Sequence, residues 1–253
     1  MEYTIAMEHK RIDSPANETV KSLVHLHKKK ERDATGRFLV EGAHLLQEAA
    51  RAGLLETVYC LPEYDPAMDA ETIYCSQRVL DKLSLQESGA RMIGVARMPQ
   101  WTDVLAFPRI LMLDDVQDPG NLGTLVRSAC SFGTGAVICS AGCADPYNPK
   151  TVQASQGAVF HIPVVRTDLL PVIAQLKKDR PVYGAALHHD SIPLQQLQPA
   201  PSYALVLGNE GQGIHEYILD ACTSIVHIEM DAFESLNVGV AGSILLYMLR
   251  YDR

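Results

Sequence analysis

Three short stretches of the chain carry residues that could bind a small polar ligand or activate a hydroxyl. The first, "DDVQDPGNLGTLVRS" (114–128), offers carboxylates, an amide and a guanidinium in one turn-and-helix unit. Pro119 and Gly120 favour a turn, and Asn121 suits the N-cap of the helix that follows. Arg127 lies nearly two helical turns on, at the edge of a cleft, while Leu122, Leu125 and Val126 face a core. The second stretch, "LVLGNEGQGI" (205–214), has glycines at 208, 211 and 213 with Glu210 among them. No Gly-Lys-Ser/Thr follows, and the order is not G-x-G-x-x-G, so both common phosphate fingerprints are missing. A carboxylate would also repel a pyrophosphate laid on this backbone. The loop suits a neutral or cationic ligand, or a hydroxyl. In the third, "FESLNVGVAGSILLY" (233–247), Ser235 and Asn237 sit where a loop becomes a helix. Gly239, Ala241, Gly242 and Ser243 keep the next turns small. A glycine inside a helix costs about 1 kcal/mol relative to alanine, which calls for a close approach by another backbone or by a ligand. Each stretch has a plain structural alternative as well: a capped turn with a surface arginine, a tight strand-to-helix turn, and close helix packing.

The elements that must position these stretches follow from periodicity. Residues 1–97 read as a small α/β unit. It has a helix over 18–30, a strand at 37–42, a helix over 43–53 closed by Gly53, strands at 55–61 and 71–76, a helix over 77–83 and a strand at 90–97. Residues 98–108, with two prolines and the only tryptophan, read as a linker. From 109 to 253 strands and helices alternate, as in a parallel sheet covered on both faces. The strand over 109–116 is nearly all apolar and ends in acids, which suits a buried parallel strand whose C-terminal end opens onto a site. Helices are expected over 121–133, 149–160, 169–179 and 213–222, and a closing helix over 236–251.

Composition is that of an ordinary globular protein, 47% hydrophobic and 21% charged over 253 residues. No apolar run is long and charge-free enough to span a bilayer, and the N-terminus is a poor signal peptide, so the expected setting is cytoplasmic with no membrane partner. The six cysteines form no CxxC pair, and no metal site is expected. A net charge of −8 argues against a general nucleic-acid coat. The balance is uneven, however. Residues 21–37 carry Lys21, Lys28, Lys29, Lys30, Arg32 and Arg37 against Glu31 and Asp33, a local excess of +4. Such a cluster is either a solvated helix end or a contact for a phosphate backbone.

Taken together, in this order and at strand ends, the three stretches resemble the three motifs of the SpoU/TrmH family of RNA methyltransferases, in the SPOUT superfamily. The resemblance covers 109–253, and "KKKERDATGRFLVEGAHLLQEA" resembles the family's N-terminal RNA substrate-binding domain. It implies a parallel-sheet SPOUT domain with a trefoil knot, a homodimer with the motif 1 and motif 3 helices at its interface, and S-adenosylmethionine as cofactor. The implied reaction is methylation of a ribose 2′-hydroxyl, in ribosomal RNA ahead of transfer RNA; a catalytically silent RNA-binding protein of the same fold is the other reading. The implied cofactor contacts are Leu187, Leu207, Gly208, Asn209, Gly211, Ile228, Leu236, Asn237 and Ala241. The implied catalytic group is Arg127 with Asn121, Glu210, Ser235 and Asn237, and RNA would meet Lys28, Lys29, Lys30, Arg32 and Arg37. Arginine rarely gives up a proton, so Arg127 is expected to fix a phosphate and stabilise developing negative charge. One position departs from the family's usual third motif: Gly239 stands where a serine is common.

Overall fold

The computed structural model describes residues 10–85, 89–198, 200–231 and 235–250. Residues 232–234, within motif 3, and Tyr251, the last residue of the closing helix read above, lie outside the described residues, as do residues 1–9. The chain forms two compact units, Met1–Pro99 and Gln100–Arg253.

The first unit runs β1 (Arg11–Ile12), α1 (Glu18–His25), α2 (Lys29–Thr35), β2 (Arg37–Glu41), α3 (Ala43–Arg51), β3 (Leu55–Cys60), β4 (Glu71–Cys75), α4 (Gln77–Leu83) and β5 (Met92–Arg97). Its sheet has the order β1-β4-β3-β5-β2, with β5 antiparallel to both its neighbours. Val20, Leu39, Ile73, Val79, Leu80 and Ile93 share one core. The single helix expected over 18–30 is two helices. Lys28 adopts an extended conformation and becomes the N-cap of α2. The carbonyls of Leu26 and His27, freed by the end of α1, accept from the Arg32 guanidinium at 2.9 and 2.8 Å.

The second unit continues with β6 (Arg109–Leu113), α5 (Pro119–Ser131), β7 (Ala136–Cys139), α6 (Pro149–Ser155), β8 (Val164–Arg166), α7 (Leu169–Leu176), β9 (Val182–Ala185), β10 (Ile192–Pro193), β11 (Tyr203–Leu207), α8 (Glu216–Ala221), β12 (Ser224–His227) and α9 (Val238–Met248). The seven strands form one parallel sheet in the order β10-β12-β9-β11-β6-β7-β8. The central strands β6 and β11 are apolar and buried along their length, as a sheet covered on both faces requires. Ile110, Met112, Ala204 and Val206 pack with α7 and α8. Leu207 points the other way and meets α9 at Gly242. The helix expected over 149–160 stops at Ser155, because Gln156 and Gly157 both take left-handed conformations. The short edge strands β1 and β10, two residues each, have no periodic signal in the sequence.

The order places the functional stretches. Leu113 and Leu207 are register partners at the C-terminal ends of β6 and β11. The chain builds outward from β6 through β7 to β8, then crosses to β9 and inserts β11 between β9 and β6. That reversal opens a crevice beyond the strand ends, where ligands bind in sheets of this kind.

Candidate functional site

Helix α5 begins two residues earlier than its sequence suggests. Asp118, not Asn121, is the N-cap: its Oδ1 accepts from the Asn121 amide at 2.8 Å, and Pro119 occupies the first helical turn. The pair Asp-Pro is the local signal for this start, and capping by Asp118 leaves the Asn121 side chain free. Its Nδ2 donates to Glu210 Oε1 at 3.0 Å, and its Oδ1 accepts from Asn237 Nδ2 at 2.9 Å. Asn237 in turn caps α9, its Oδ1 accepting from the amides of Gly239 and Val240. One amide side chain thus ties together the loops that follow β6, β11 and β12.

Glu210 reaches across to the start of α5. Its carboxylate also accepts from the backbone amides of Gln117 at 3.5 Å and Asp118 at 3.3 Å. Burial pushes this carboxyl up, but the hydrogen bonds from Asn121 and the backbone outweigh it and hold it below its ordinary value. The site therefore carries a fixed negative charge at the positive end of a helix.

The loop bearing Glu210 is closed on itself. Asn209 and Gly213 exchange backbone hydrogen bonds at 2.9 and 3.0 Å, and Asn209 Oδ1 accepts from the amides of Gly211 and Gln212. A Cβ on Gly208 would overlap the backbone of Gly213 and Ile214, so only glycine lets the two legs lie flush. Asn209 Nδ2 donates to the Asp115 carbonyl, and His215, the N-cap of α8, pairs with Asp114.

A cavity of about 380 Å³ opens beside this loop. Its walls include eight of the nine residues expected to hold a cofactor: Leu187, Leu207, Gly208, Asn209 and Gly211 from the ends of β9 and β11, and Ile228, Leu236 and Ala241 from the stretch leading into α9. Glu210 and Ser235 also line it. Asn237 does not; its amide is taken up by Asn121 and the α9 cap. The sequence reading missed Ala185, Ala186, His227 and Met230, which line the cavity without any motif to mark them. No lysine or arginine is among the described residues of the lining.

Arg127 stands apart from this group. It is exposed on α5, absent from the cavity wall, and its guanidinium has no hydrogen-bond or ion-pair partner among the described residues. The small turns of α9 are explained by packing. Gly242 lies against Leu125 and Leu207, and Ser243 Oγ meets Ser128 Oγ at 2.7 Å. A Cβ at Gly239 would lie 3.2 Å from the Thr124 methyl, so the threonine of α5 fills space that a serine at 239 would contest. One group of side chains capable of holding a metal ion occurs among the described residues, His188, His189 and Asp190, all exposed. Within that group His189 pairs with Asp190 at 2.8 Å.

In the first unit the basic run divides. Arg32 is only 2% exposed and is corrected from an RNA contact to the cap of α1. Lys29 pairs with Asp33, and Arg37 with Glu56 at 2.5 Å. Lys28 and Lys30 are exposed and have no ion-pair partner among the described residues.

A parallel sheet whose three C-terminal loops are laced together around a carboxylate-bearing glycine loop defines a class, and comparison with known proteins identifies it. Residues 108–247 match the SpoU rRNA methylase family, and the chain belongs to that family. Residues 17–94 match the MRM3-like substrate binding domain. The chain is 39% identical over 249 residues to the 23S rRNA (guanosine(2553)-2'-O)-methyltransferase RlmP of Bacillus subtilis, covering 95% of this chain and 99% of that one. It is 32% identical to a solved RNA 2'-O ribose methyltransferase, with a TM-score of 0.79 over 94% of this chain and 97% of the other. The AdoMet-bound rRNA methyltransferase from Sinorhizobium meliloti is 25% identical, with a TM-score of 0.84 over 95% and 97%. No helix among the described residues is long and apolar enough to cross a membrane.

Proposed function

We propose that the chain transfers a methyl group from S-adenosylmethionine to a ribose 2′-hydroxyl of RNA, in ribosomal rather than transfer RNA. The observation that carries this reading is the Glu210–Asn121–Asn237 chain of hydrogen bonds, whose Glu210 end lines the cavity. Family membership and the RNA-directed activities named for the relatives support it.

The cavity fits the cofactor on its own chemistry. Its volume suits a small ligand held in a largely preformed site. Leu187, Leu207, Ile228 and Leu236 supply apolar surface for an adenine ring, and the flush loop at Gly208 and Asn209 presents backbone groups. The lining offers a carboxylate and no described cationic side chain, the reverse of a pyrophosphate site. When bound, the cofactor supplies an electrophilic methyl on a cationic sulfonium.

The chain's residues then have distinct tasks. Asn121 holds Glu210 and Asn237 in one arrangement, which fixes Glu210 at the cavity wall. Ser235, exposed at the cavity, is available to a polar end of cofactor or substrate. Arg127 fixes the RNA phosphate beside the reacting ribose and stabilises the negative charge that develops on the 2′-oxygen as it takes the methyl and its proton passes to water. Lys28 and Lys30, with Lys29 and Arg37 at the exposed end of the first unit, contact the RNA backbone.

Two structural proposals accompany this reading. The chain forms a homodimer through α5 and α9: Val240 and Tyr247, seven residues apart on one face of α9, are 48% and 43% exposed. The second unit carries a trefoil knot. In support, β12 is separated from β6 by β9 and β11, yet α9, which follows β12 in the chain, packs on α5, where Asn237 meets Asn121.

Calorimetric titration with S-adenosylmethionine, followed by methyl transfer to ribosomal RNA, tests the reading. Arg127→Ala should retain cofactor binding and abolish transfer. Full activity in that variant would remove Arg127 from the mechanism. Methylation of transfer RNA alone would reassign the substrate.

A further inference from the structure

The glycine loop at 208–215 is fastened to the segment after β6 at three points. Two have been described, Asn209 to the Asp115 carbonyl and Glu210 to the start of α5. The third is Asp114. Its Oδ2 accepts from the His215 backbone amide at 2.8 Å and from the ring Nδ1–H at 2.9 Å. Asp114 is 2% exposed, while its partner His215 is half-buried; the Glu210 fastening is the one open to water.

A buried carboxylate is stable only when its charge is met by donors. Here both described donors belong to one residue, at the point where the loop returns to the fold. The next link inward is Ile214, which is buried in the core with α7 and α8. Gly213 and Ile214 lie flush against Gly208, and Gly208 is cavity wall. A displacement of His215 therefore reaches the cavity through Ile214 and Gly213, the second of which is itself cavity wall.

We infer that Asp114 is a positioning residue for the cofactor loop, acting through His215 on the shape of the wall at Gly208 and Gly213. This rests on the reading of the cavity as the S-adenosylmethionine site. The groups facing the His215 ring are Asp114 and Asp115 from the segment after β6 and Tyr217, whose ring lies 5.4 Å away, from α8. The hydrogen bond to Asp114, then its charge and that of Asp115, raise the His215 ring above its ordinary value. The protonated ring holds the loop by charge as well as by hydrogen bond. The neutral ring keeps only the hydrogen bond. Cofactor affinity should therefore be highest at low pH and decline as pH rises through the His215 value.

The test is calorimetric titration of the full chain with S-adenosylmethionine from pH 5.5 to 9, on wild type, Asp114→Asn and His215→Gln, with kcat and KM measured beside it. Wild type should bind with an affinity that falls over the upper part of this range. Asp114→Asn should bind about tenfold more weakly at the low end, show a flat pH profile, and keep kcat at saturating cofactor within about threefold. His215→Gln, which preserves a donor without a titrating charge, should also be flat, with a smaller loss at low pH. Wild-type affinity and pH profile persisting in both variants would overturn the positioning role. An absence of binding by wild type itself would instead overturn the cofactor reading. Hydrogen exchange of the 208–215 amides guards against a folding artefact: protection should fall there and not in β6 or β11.

Discussion

Replacing Asn121 by alanine should uncouple the three motifs without unfolding the protein. The side chain gives one hydrogen bond to a charged acceptor, Glu210, at 3.0 Å and takes one from a neutral donor, Asn237, at 2.9 Å. A hydrogen bond to a charged group contributes about 1.5–3 kcal/mol and a neutral one about 0.5–1.5 kcal/mol. The site is partly open to water, so the lower ends apply, for a total of about 2–3 kcal/mol. Water can replace much of this in the resting protein, and global stability should drop by about 1 kcal/mol or less. The organised pocket mouth cannot be replaced that way. The loss should appear in kcat/KM for RNA methylation as a fall of about 30- to 150-fold. Glu210→Ala removes the same bond from the other side, together with the anchors to Gln117 and Asp118. The double variant should then be no worse than the Glu210 variant by more than about 0.5 kcal/mol, with a coupling energy of about 1.5–2.5 kcal/mol. Steady-state kinetics on the four proteins measure this directly. Additive effects would mean that Asn121 and Glu210 act independently, and the idea of one laced site would have to be abandoned.

Gly208→Ala should force the legs of the glycine loop apart, break the Asn209–Gly213 pair, and weaken S-adenosylmethionine binding by about tenfold or more in calorimetry; unchanged affinity would contradict the flush-loop geometry. The raised His215 value also bears on folding: its stabilisation is fully present below the unfolded value of about 6.5 and is lost as pH rises through the folded value. Urea midpoints measured from pH 5.5 to 9 should show this decline in wild type and lack it in Asp114→Asn. In the first unit, Arg32→Ala strips the buried carbonyl of Leu26 and the half-buried one of His27 of their donor and should cost about 2–4 kcal/mol in denaturant melts, while leaving the salt dependence of RNA binding alone. Lys28→Glu with Lys30→Glu should do the opposite, lowering the slope of log affinity against log salt by about 1 per lost phosphate contact with no change in melting.

The alternating β/α rhythm of 109–253 was legible because buried parallel strands such as β6 and β11 are continuous apolar runs, and the three functional loops stand out against them. Eight of the nine residues that the family resemblance implies as cofactor contacts line the cavity, and two of them, Leu187 and Ile228, lie outside the three motif stretches. The misreadings concern side chains whose partners the local pattern does not mark. Asn121 looked like a cap, since nothing in its neighbourhood reveals a partner 89 residues away at Glu210. Arg32 looked like part of a basic surface, since charge counts cannot tell a solvated guanidinium from one folded back on the previous helix. His227 and Met230 carry no pattern at all, and only the sheet order brings them to the cavity.

The bond between Asn237 and Asn121 spans 116 residues, and Asn237 is the first cap of the last helix. Contacts so distant in the chain form late, after the loop between them has been closed at an entropic cost. A chain elongated only as far as β12 would already possess the sheet, Glu210 and Asn121, yet its pocket would lack a wall and its lacing would be half tied. The catalyst exists only once synthesis has passed α9. An unfinished or clipped copy is left inert, with no separate inhibitor needed to restrain it.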